Sequence, residues 1–390
     1  MSNLAPITPE VLKWARESAR ISIPSAAAKI STTEERIQQW ESGERVPTIS
    51  QAKKLAEYYK RPFALLFLPN IPADFMPLQD FRRAGSSELG TASLFMIREI
   101  QEKQAWLSEF NEENEMEPLP FIGMFSLNDS PAKVANDILH TLEIDPYNYN
   151  KIPPLKVWLR KVEANGIYVS RSSFIHSHLV INVEELQGFA IADTYAPFIF
   201  LNTGDWDAPT LFTLVHELAH LWINKPGISN NTLVDTENIS NYHPVELFCN
   251  EVAAIALIPA AGISQIDFSE IQYSEIFRYS KKWGVSTFAF LVRAYNLGLL
   301  AIDQYHSLKD EAEHNFQLYI RQEELKKAKK KELGSTGPNY FITQLSKNGR
   351  MFTRTVLEAY KGGQVSSSVA SQLLHVKVNK FSLLETLLYK

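Results

Sequence analysis

The sequence predicts an α+β protein that is mostly helical, with a small sheet in its central part. Apolar residues recur at helical spacing along most of the chain, whereas runs with strand character are confined to residues 167–201. At 390 residues the chain exceeds the roughly 250 to 300 residues that one hydrophobic core serves. Several domains are therefore expected.

The first domain is predicted at residues 1–70, as a module of five short helices. Three of them are expected at residues 9–19, 25–30 and 33–41, and two more before Pro69. Pro69, Pro72 and Pro77 then predict a linker, because proline removes a backbone donor and biases the residue before it away from helix. A domain boundary near residues 70–85 follows.

The rest of the chain is divided into four parts. Residues 71–150 are predicted to be a helical connector, with helices at 88–115 and 130–142. Residues 151–265 are predicted to hold the sheet, with a segment at 167–170 that leads into two strands at 187–192 and 197–201, and with helices at 155–164, 208–223 and 244–257. A helical extension at 266–333 follows. A break at 334–338 then begins a small helical C-terminal unit at 334–390.

Composition and charge limit the classes of function. The net charge of −5 gives no overall attraction to nucleic acid or to acidic membranes, so any DNA contact must be local. The single cysteine, Cys249, excludes an intramolecular disulfide framework and favours a reducing compartment. The first 20 residues lack the apolar core of a signal peptide, and the longest apolar stretch, 252–263, is too short to span a bilayer. A cytoplasmic protein with no membrane partner is expected.

A predicted helix carries the pattern H-E-x-x-H at His216, Glu217 and His220. Positions i and i+4 lie on one face of an α-helix, so the two imidazoles can bind one metal ion, and neutral imidazoles suit zinc. Glu217 follows the first histidine directly and does not bind the metal, which leaves its carboxylate able to take a proton from the attacking water. The apolar neighbours predict that both imidazoles are buried.

A catalytic zinc takes three protein ligands and keeps one position open, so a third ligand is required. A third histidine further along the same helix is excluded, because its place and that of the accompanying glycine hold Pro226 and Ile223. Glu246, on the next predicted helix, is the favoured ligand. Asn250 shares its face and is expected to hold the ring of His216 or His220 by a hydrogen bond. Three other acidic residues are alternatives to Glu246: Asp235, Glu237 and Glu251.

Four separated blocks, at residues 188–190, 197–202, 212–220 and 246–259, resemble the ImmA/IrrE family of metallopeptidases in the family's order. The resemblance spans residues 153–262. It implies a zincin-like fold of the gluzincin type, with His216, His220 and Glu246 as zinc ligands and Glu217 as the catalytic base. Family members are implicated in cleaving or relieving transcriptional repressors. Cys249 departs from the family, which usually has alanine there, and we interpret it as an inert small hydrophobe.

Residues 26–30 and 33–48 resemble the Xre or Cro/C1 type of helix-turn-helix. Thr33 is expected to cap the recognition helix, and Ile37 and Trp40 to anchor it to the core. Ser31 stands where the turn often has glycine, which leaves the conformation of the turn open.

The resemblance implies DNA as a partner of this module. Three outward residues are candidates for contact with base edges: Arg36, Gln38 and Gln39. Three further residues are candidates for contact with phosphates: Lys29, Arg45 and Lys53. A module kept only for dimerisation is the alternative, since Glu34 and Glu35 bring negative charge and residues 1–70 hold ten basic against seven acidic residues.

Two functions from different classes are compatible with this combination. The first is a cytoplasmic zinc-dependent regulatory endopeptidase that hydrolyses a peptide bond in a partner protein such as a repressor. The second is a DNA-binding antitoxin or autorepressor of a toxin–antitoxin operon, in which the zinc fold is a scaffold. In either case the expected partners are an operator with an inverted repeat, a protein substrate or toxin, and a second copy of the chain in a homodimer. A complete base at Glu217 favours the first.

Overall fold

The protein is described by a computed structural model that covers residues 3–73, 78–81, 88–176, 179–229, 242–332 and 339–389. The α-helices in chain order are α1 (Pro9–Ser18), α2 (Ile23–Lys29), α3 (Glu34–Ser42), α4 (Ile49–Tyr58), α5 (Thr91–Glu113), α6 (Pro131–Thr141), α7 (Pro154–Ala164), α8 (Asp207–Trp222), α9 (Pro244–Leu257), α10 (Ala260–Ile263), α11 (Tyr273–Trp283), α12 (Thr287–Asn296), α13 (Ile302–Glu332), α14 (Tyr340–Asn348), α15 (Arg350–Lys361), α16 (Ser367–Leu374) and α17 (Phe381–Leu388). The strands are β1 (Gln79–Asp80), β2 (Tyr168–Arg171), β3 (Phe174–His176), β4 (Leu179–Val180), β5 (Gly188–Ile191), β6 (Phe198–Leu201) and β7 (Gly227–Ser229). The predicted α+β, mostly helical fold is confirmed.

The described residues form two compact units. The first unit comprises those within Met1–Pro77, Ser87–Gln101 and Phe174–Ile181. The second comprises those within Leu78–Ser86, Glu102–Ser173 and Asn182–Lys390. None of the helices in the described part of the chain is long and apolar enough to cross a membrane.

The first unit contains α1 to α4 around one apolar core, in which Ile37 and Trp40 are almost fully buried. Thr33 lies before α3 and accepts a hydrogen bond from the Arg36 amide at 3.3 Å, so it caps the helix as the sequence predicts. The fifth predicted helix is a 3₁₀-helix, Phe63–Phe67, and not an α-helix.

The turn between α2 and α3 requires a left-handed residue. Ser31 has a φ of 56° there, a conformation that costs a residue with a side chain about 1–2 kcal/mol and glycine almost nothing. The Thr32 amide donates back to the Ala27 carbonyl at 3.0 Å, which fixes the turn. The family's usual glycine at this position therefore has a conformational reason.

We expect Ser31→Gly to raise the free energy of unfolding of the first unit by about 0.5–1 kcal/mol, because relief of the left-handed strain outweighs the greater freedom of glycine in the unfolded chain. Urea denaturation followed by circular dichroism measures the difference. Ser42→Gly, a matched change at the helical end of α3, should destabilise instead. A loss of stability in Ser31→Gly would contradict this account.

The second unit contains a five-stranded mixed sheet in the order β1-β7-β5-β6-β2. β6 pairs in parallel with β2 and antiparallel with β5, and β5 pairs antiparallel with β7. β1 adds to the outer edge of β7 in parallel. The strands predicted at 187–192 and 197–201 are confirmed as β5 and β6, and the segment at 167–170 overlaps β2, whereas β1 and β7 were not predicted.

Helix α8 lies against β5 and β6 and also packs on α9, so two helices and the sheet enclose the centre of the second unit. All residues of α8 from Thr210 to Trp222 are buried. Helix α6 packs on both α8 and α9 and contributes Val134, Ala135 and Ile138 to the same core. Helix α6 is therefore part of the core that supports the site.

The C-terminal helices cover the opposite edge of the sheet. α14 and α15 contact β2, where the Ser346 hydroxyl donates to the Arg171 carbonyl at 3.2 Å and the Ser170 hydroxyl donates to the Lys347 carbonyl at 2.5 Å. The helical character predicted for residues 266–333 is confirmed by α11, α12 and α13. The predicted break at 334–338 and Pro77 lie outside the described residues.

Candidate metal centre and nucleic-acid interface

Four side chains from α8 and α9 meet in the interior of the second unit. His216, Glu217 and His220 are 0% exposed and Glu246 is 3% exposed. The Nε2 atoms of the two histidines lie 3.0 Å apart. One carboxylate oxygen of Glu246 lies 3.3 Å from His216 Nε2, and the other lies 3.2 Å from His220 Nε2. The structure thus brings the predicted metal-binding residues together.

Both imidazoles are oriented by oxygen acceptors at their other nitrogen. His216 Nδ1 lies 2.9 Å from Asn250 Oδ1, and His220 Nδ1 lies 2.7 Å from the Lys225 carbonyl. A carbonyl oxygen only accepts, so Nδ1 of each ring carries a proton, and Nε2 is the nitrogen that remains to bind a metal at the shared centre. Asn250 therefore has the place predicted for it, beside His216. The Lys225 carbonyl was missed, because no side chain marks a backbone acceptor in a sequence.

The arrangement fits a tetrahedral metal ion. Ligand atoms about 2.0–2.1 Å from zinc, at tetrahedral angles, stand roughly 3.3 Å apart, and the three separations here are 3.0, 3.2 and 3.3 Å. Among the residues that the structure describes, none donates a hydrogen bond to Glu246 Oε1 although this atom is buried. A buried carboxylate next to two imidazole nitrogens is a set of donors that a divalent cation stabilises.

Glu246 is ionised at neutral pH, as a metal ligand must be. Burial opposes its ionisation, but the neighbouring His216 and His220 outweigh that effect and lower the pKa of the carboxyl to about 2. The alternative Glu251 is an exposed residue of α9. The other two alternatives, Asp235 and Glu237, lie outside the described residues.

Cys249 is another candidate for the third metal ligand, although the sequence alone did not suggest it as a ligand. It is fully buried on α9, and its sulfur lies within 4.8 Å of a ring nitrogen of both His216 and His220. Burial raises the pKa of this thiol, and His220 offsets the effect only in part. The oxygens of Glu246 lie 3.2 and 3.3 Å from the histidine nitrogens, which is the separation expected of zinc ligands, so the geometry favours the glutamate.

Glu217 lies on the sheet side of α8, next to strand β5. A Cβ atom added to Gly188 would lie 3.1 Å from Glu217 Oε1 and 2.7 Å from the Thr213 methyl group. Glycine at this position lets the strand approach the carboxylate closely. Gly188 belongs to one of the four blocks quoted above, but only the structure shows that it makes room for the base.

The predicted DNA contacts lie in the first unit. Arg36, Gln38 and Gln39 are on α3, where Gln38 is exposed and the other two are half-buried. Three exposed basic residues surround this helix in the sequence: Lys29, Arg45 and Lys53. The ammonium group of Lys29 lies 5.3 Å from the centre of the Tyr58 ring, and that of Lys53 lies 5.4 Å from the centre of the Phe63 ring. Tyr58 ends α4 and Phe63 begins the 3₁₀-helix, so each lysine side chain lies against a ring from a different helix.

Comparison with known families adds a separate observation for each unit. Residues 12–66 match the helix-turn-helix family, and residues 163–295 match the family described as IrrE N-terminal-like domain, a peptidase family. The chain is a helix-turn-helix domain fused to an IrrE-like domain. The fusion predicted from the sequence blocks is confirmed. No curated protein matches the chain.

The IrrE-like match extends from the end of α7 to α12, so it includes His216, Glu217, His220 and Glu246. The helix-turn-helix match includes α3 and its capping residue Thr33. A helix-turn-helix domain is a DNA-binding element. The IrrE-like match leaves out α6 and the helices α13 to α17, which the structure packs around the same unit.

Proposed function

We propose that this protein is a zinc-dependent regulatory endopeptidase that hydrolyses a peptide bond in a partner protein such as a repressor. The observation that carries the proposal is the convergence of His216, His220 and Glu246 at tetrahedral ligand spacing, with Glu217 beside them. Both rings are already held in the orientation that metal binding requires. Preparing four buried polar groups in this way is costly without a metal to bind.

In this proposal, the Nε2 atoms of His216 and His220 and the carboxylate of Glu246 would hold the zinc ion. When bound, zinc acts as a Lewis acid towards the carbonyl group and the attacking water. Glu217 takes the proton from that water and delivers it to the leaving amine. Asn250 and the Lys225 carbonyl keep the two imidazoles in place throughout.

The DNA-binding domain brings this activity to an operator. We propose that two copies of the chain bind an inverted repeat upstream of the gene, with α3 of each copy in the major groove. Arg36, Gln38 and Gln39 would contact base edges, and Lys29, Arg45 and Lys53 would contact phosphates.

Arg36→Ala combined with Gln38→Ala is expected to weaken binding to that operator about 30-fold or more, because each side chain that reads a base contributes about 1–3 kcal/mol. Fluorescence anisotropy with a labelled duplex at fixed salt measures the change. Arg160→Ala, which removes one exposed arginine from α7 in the second unit, serves as the control. Unchanged affinity in the double variant would move the recognition surface away from α3.

One observation favours the second function, an antitoxin or autorepressor in which the zinc fold is a scaffold. The proposed ligands and base are at most 3% exposed, so the centre is closed to solvent in this structure. A structural metal site needs no access for solvent, whereas a catalytic site has to admit water and substrate to its open coordination position. The Glu217→Gln comparison in the Discussion separates the two functions.

A further inference from the structure

Strand β1 occupies the edge of the sheet that lies beside the candidate metal centre. Gln79 pairs with Gly227 and Asp80 with Ile228, and the Phe81 amide donates to the Ile228 carbonyl at 3.0 Å. Residues 79–81, here called the edge segment, thus form a short extra strand on β7. This strand joins residues that are almost 150 positions apart in the sequence.

The side chain of Phe81 reaches the metal-binding residues. It is 2% exposed, and its ring stacks on that of His220 with centroids 5.6 Å apart and an interplanar angle of 17°. On another side it contacts the ring of His243, the residue that caps α9, at 4.8 Å. The aromatic ring therefore lies between the end of α8 and the start of α9.

The Phe81 ring packs directly against the backbone of Gly227. A Cβ atom at that position would come within 2.3 Å of two ring carbons of Phe81 and within 2.8 Å of the Gln79 carbonyl. The φ of Gly227 is not in the left-handed region, so the backbone itself does not require glycine here. The close approach of the edge segment is what requires it.

A peptidase has to admit an extended peptide beside its base. Extended peptides bind by adding a strand to a sheet edge, with pockets that receive alternate side chains. The outer edge of β7 is placed to bind a substrate in this way. It lies close to the candidate metal centre, because β7 starts two residues after Lys225, whose carbonyl orients His220. In this structure the chain's own edge segment fills that edge and shields His220.

We propose that the edge segment occupies the place of the substrate main chain, and that the seat of Phe81 is a specificity pocket for an aromatic side chain of the substrate. The substrate class is then an extended protein segment that contains phenylalanine or tyrosine. The edge segment competes with such a substrate from within the same chain. This inference rests on the proposed peptidase function.

The test uses the full-length, zinc-loaded protein with Glu217→Gln, so that the probe is not consumed. The probe is a fluorescent peptide with the chain's own sequence from residue 76 to residue 83, and the matched peptide has alanine in place of phenylalanine. With the further change Phe81→Ala, the protein should bind the phenylalanine peptide about tenfold or more tightly than the protein that keeps Phe81. The alanine peptide should not show this gain.

Equal affinity of both proteins for the probe, or of both peptides for Phe81→Ala, would overturn the proposal. So would loss of the cooperative thermal transition in Phe81→Ala, because Phe81 would then be a structural core residue. Gly227→Ala gives an independent outcome. The added Cβ should displace the Phe81 ring and speed amide hydrogen exchange at Phe81. It should also prevent the phenylalanine peptide from binding, because it fills the same space. Unchanged exchange at Phe81, or a gain of peptide binding, would contradict the pocket.

Proteins that retain Glu217 separate this proposal from the peptidase function itself. Hydrolysis of both peptides at equal rates would support a peptidase and overturn the aromatic pocket. Selective binding of the phenylalanine peptide with no hydrolysis of it would support the pocket and count against the peptidase.

Discussion

Replacing Glu217 with glutamine is expected to lower the rate of partner cleavage by about 100- to 10,000-fold, which is the usual contribution of a general base. The amide keeps the size of the side chain, and Gly188 leaves the same space beside it. Zinc binding and DNA binding should persist, because Glu217 contributes to neither. The measurement is the length of the product of each adjacent gene, co-expressed with either protein and resolved on a gel.

The matched control is Glu251→Gln, the same change at an exposed position of α9. It should cleave like the wild type. Under the antitoxin or autorepressor function, Glu217→Gln should protect against the toxin and repress the operon as the wild type does. An intact partner with wild-type protein, together with no phenotype in Glu217→Gln, would refute the peptidase and leave the scaffold function.

Glu246→Ala is expected to weaken zinc binding by about 100-fold or more. Loss of a residue that only orients a ligand already costs about 10- to 100-fold, and Glu246 supplies two oxygen atoms within 3.3 Å of the histidine nitrogens. Its removal would leave two neutral imidazoles as the ligands. Competition with a chromophoric chelator at fixed pH measures the affinity directly, without any assay of cleavage.

Two variants on the same helix calibrate this result. Glu251→Ala removes an exposed carboxylate and should leave zinc affinity unchanged. Cys249→Ala removes the buried thiol near both histidines and should have a much smaller effect than Glu246→Ala. The reverse order, with zinc lost in Cys249→Ala and kept in Glu246→Ala, would make the cysteine the third ligand.

The long helices and the histidine pair could be predicted from sequence, because both depend on local spacing. His216 and His220 are one helical turn apart, so their common face follows from helix geometry alone. The position of Glu246 could not be predicted from local spacing, since its distance from the histidines depends on how α8 packs on α9. It was predicted from the ligand count that zinc requires and from resemblance to the family.

The features that the sequence did not predict depend on contacts between distant residues. Strands β1 and β7 contain two and three residues, too few for an alternating pattern. Helix α6 has an apolar face, but its sequence does not tell against which partner that face packs. The orientation of His220 depends on a backbone carbonyl, and every residue has one.

The cover that α14 and α15 place on strand β2 has a consequence for fragments of this protein. The IrrE-like match ends at residue 295, so a recombinant fragment cut at that point would lose these helices and the hydroxyl of Ser346 that binds the Arg171 carbonyl. Its β2 would then be a bare edge, free to recruit strands from other chains. We therefore expect such a fragment to aggregate during expression, whereas a fragment that retains α14 to α17 should stay dispersed.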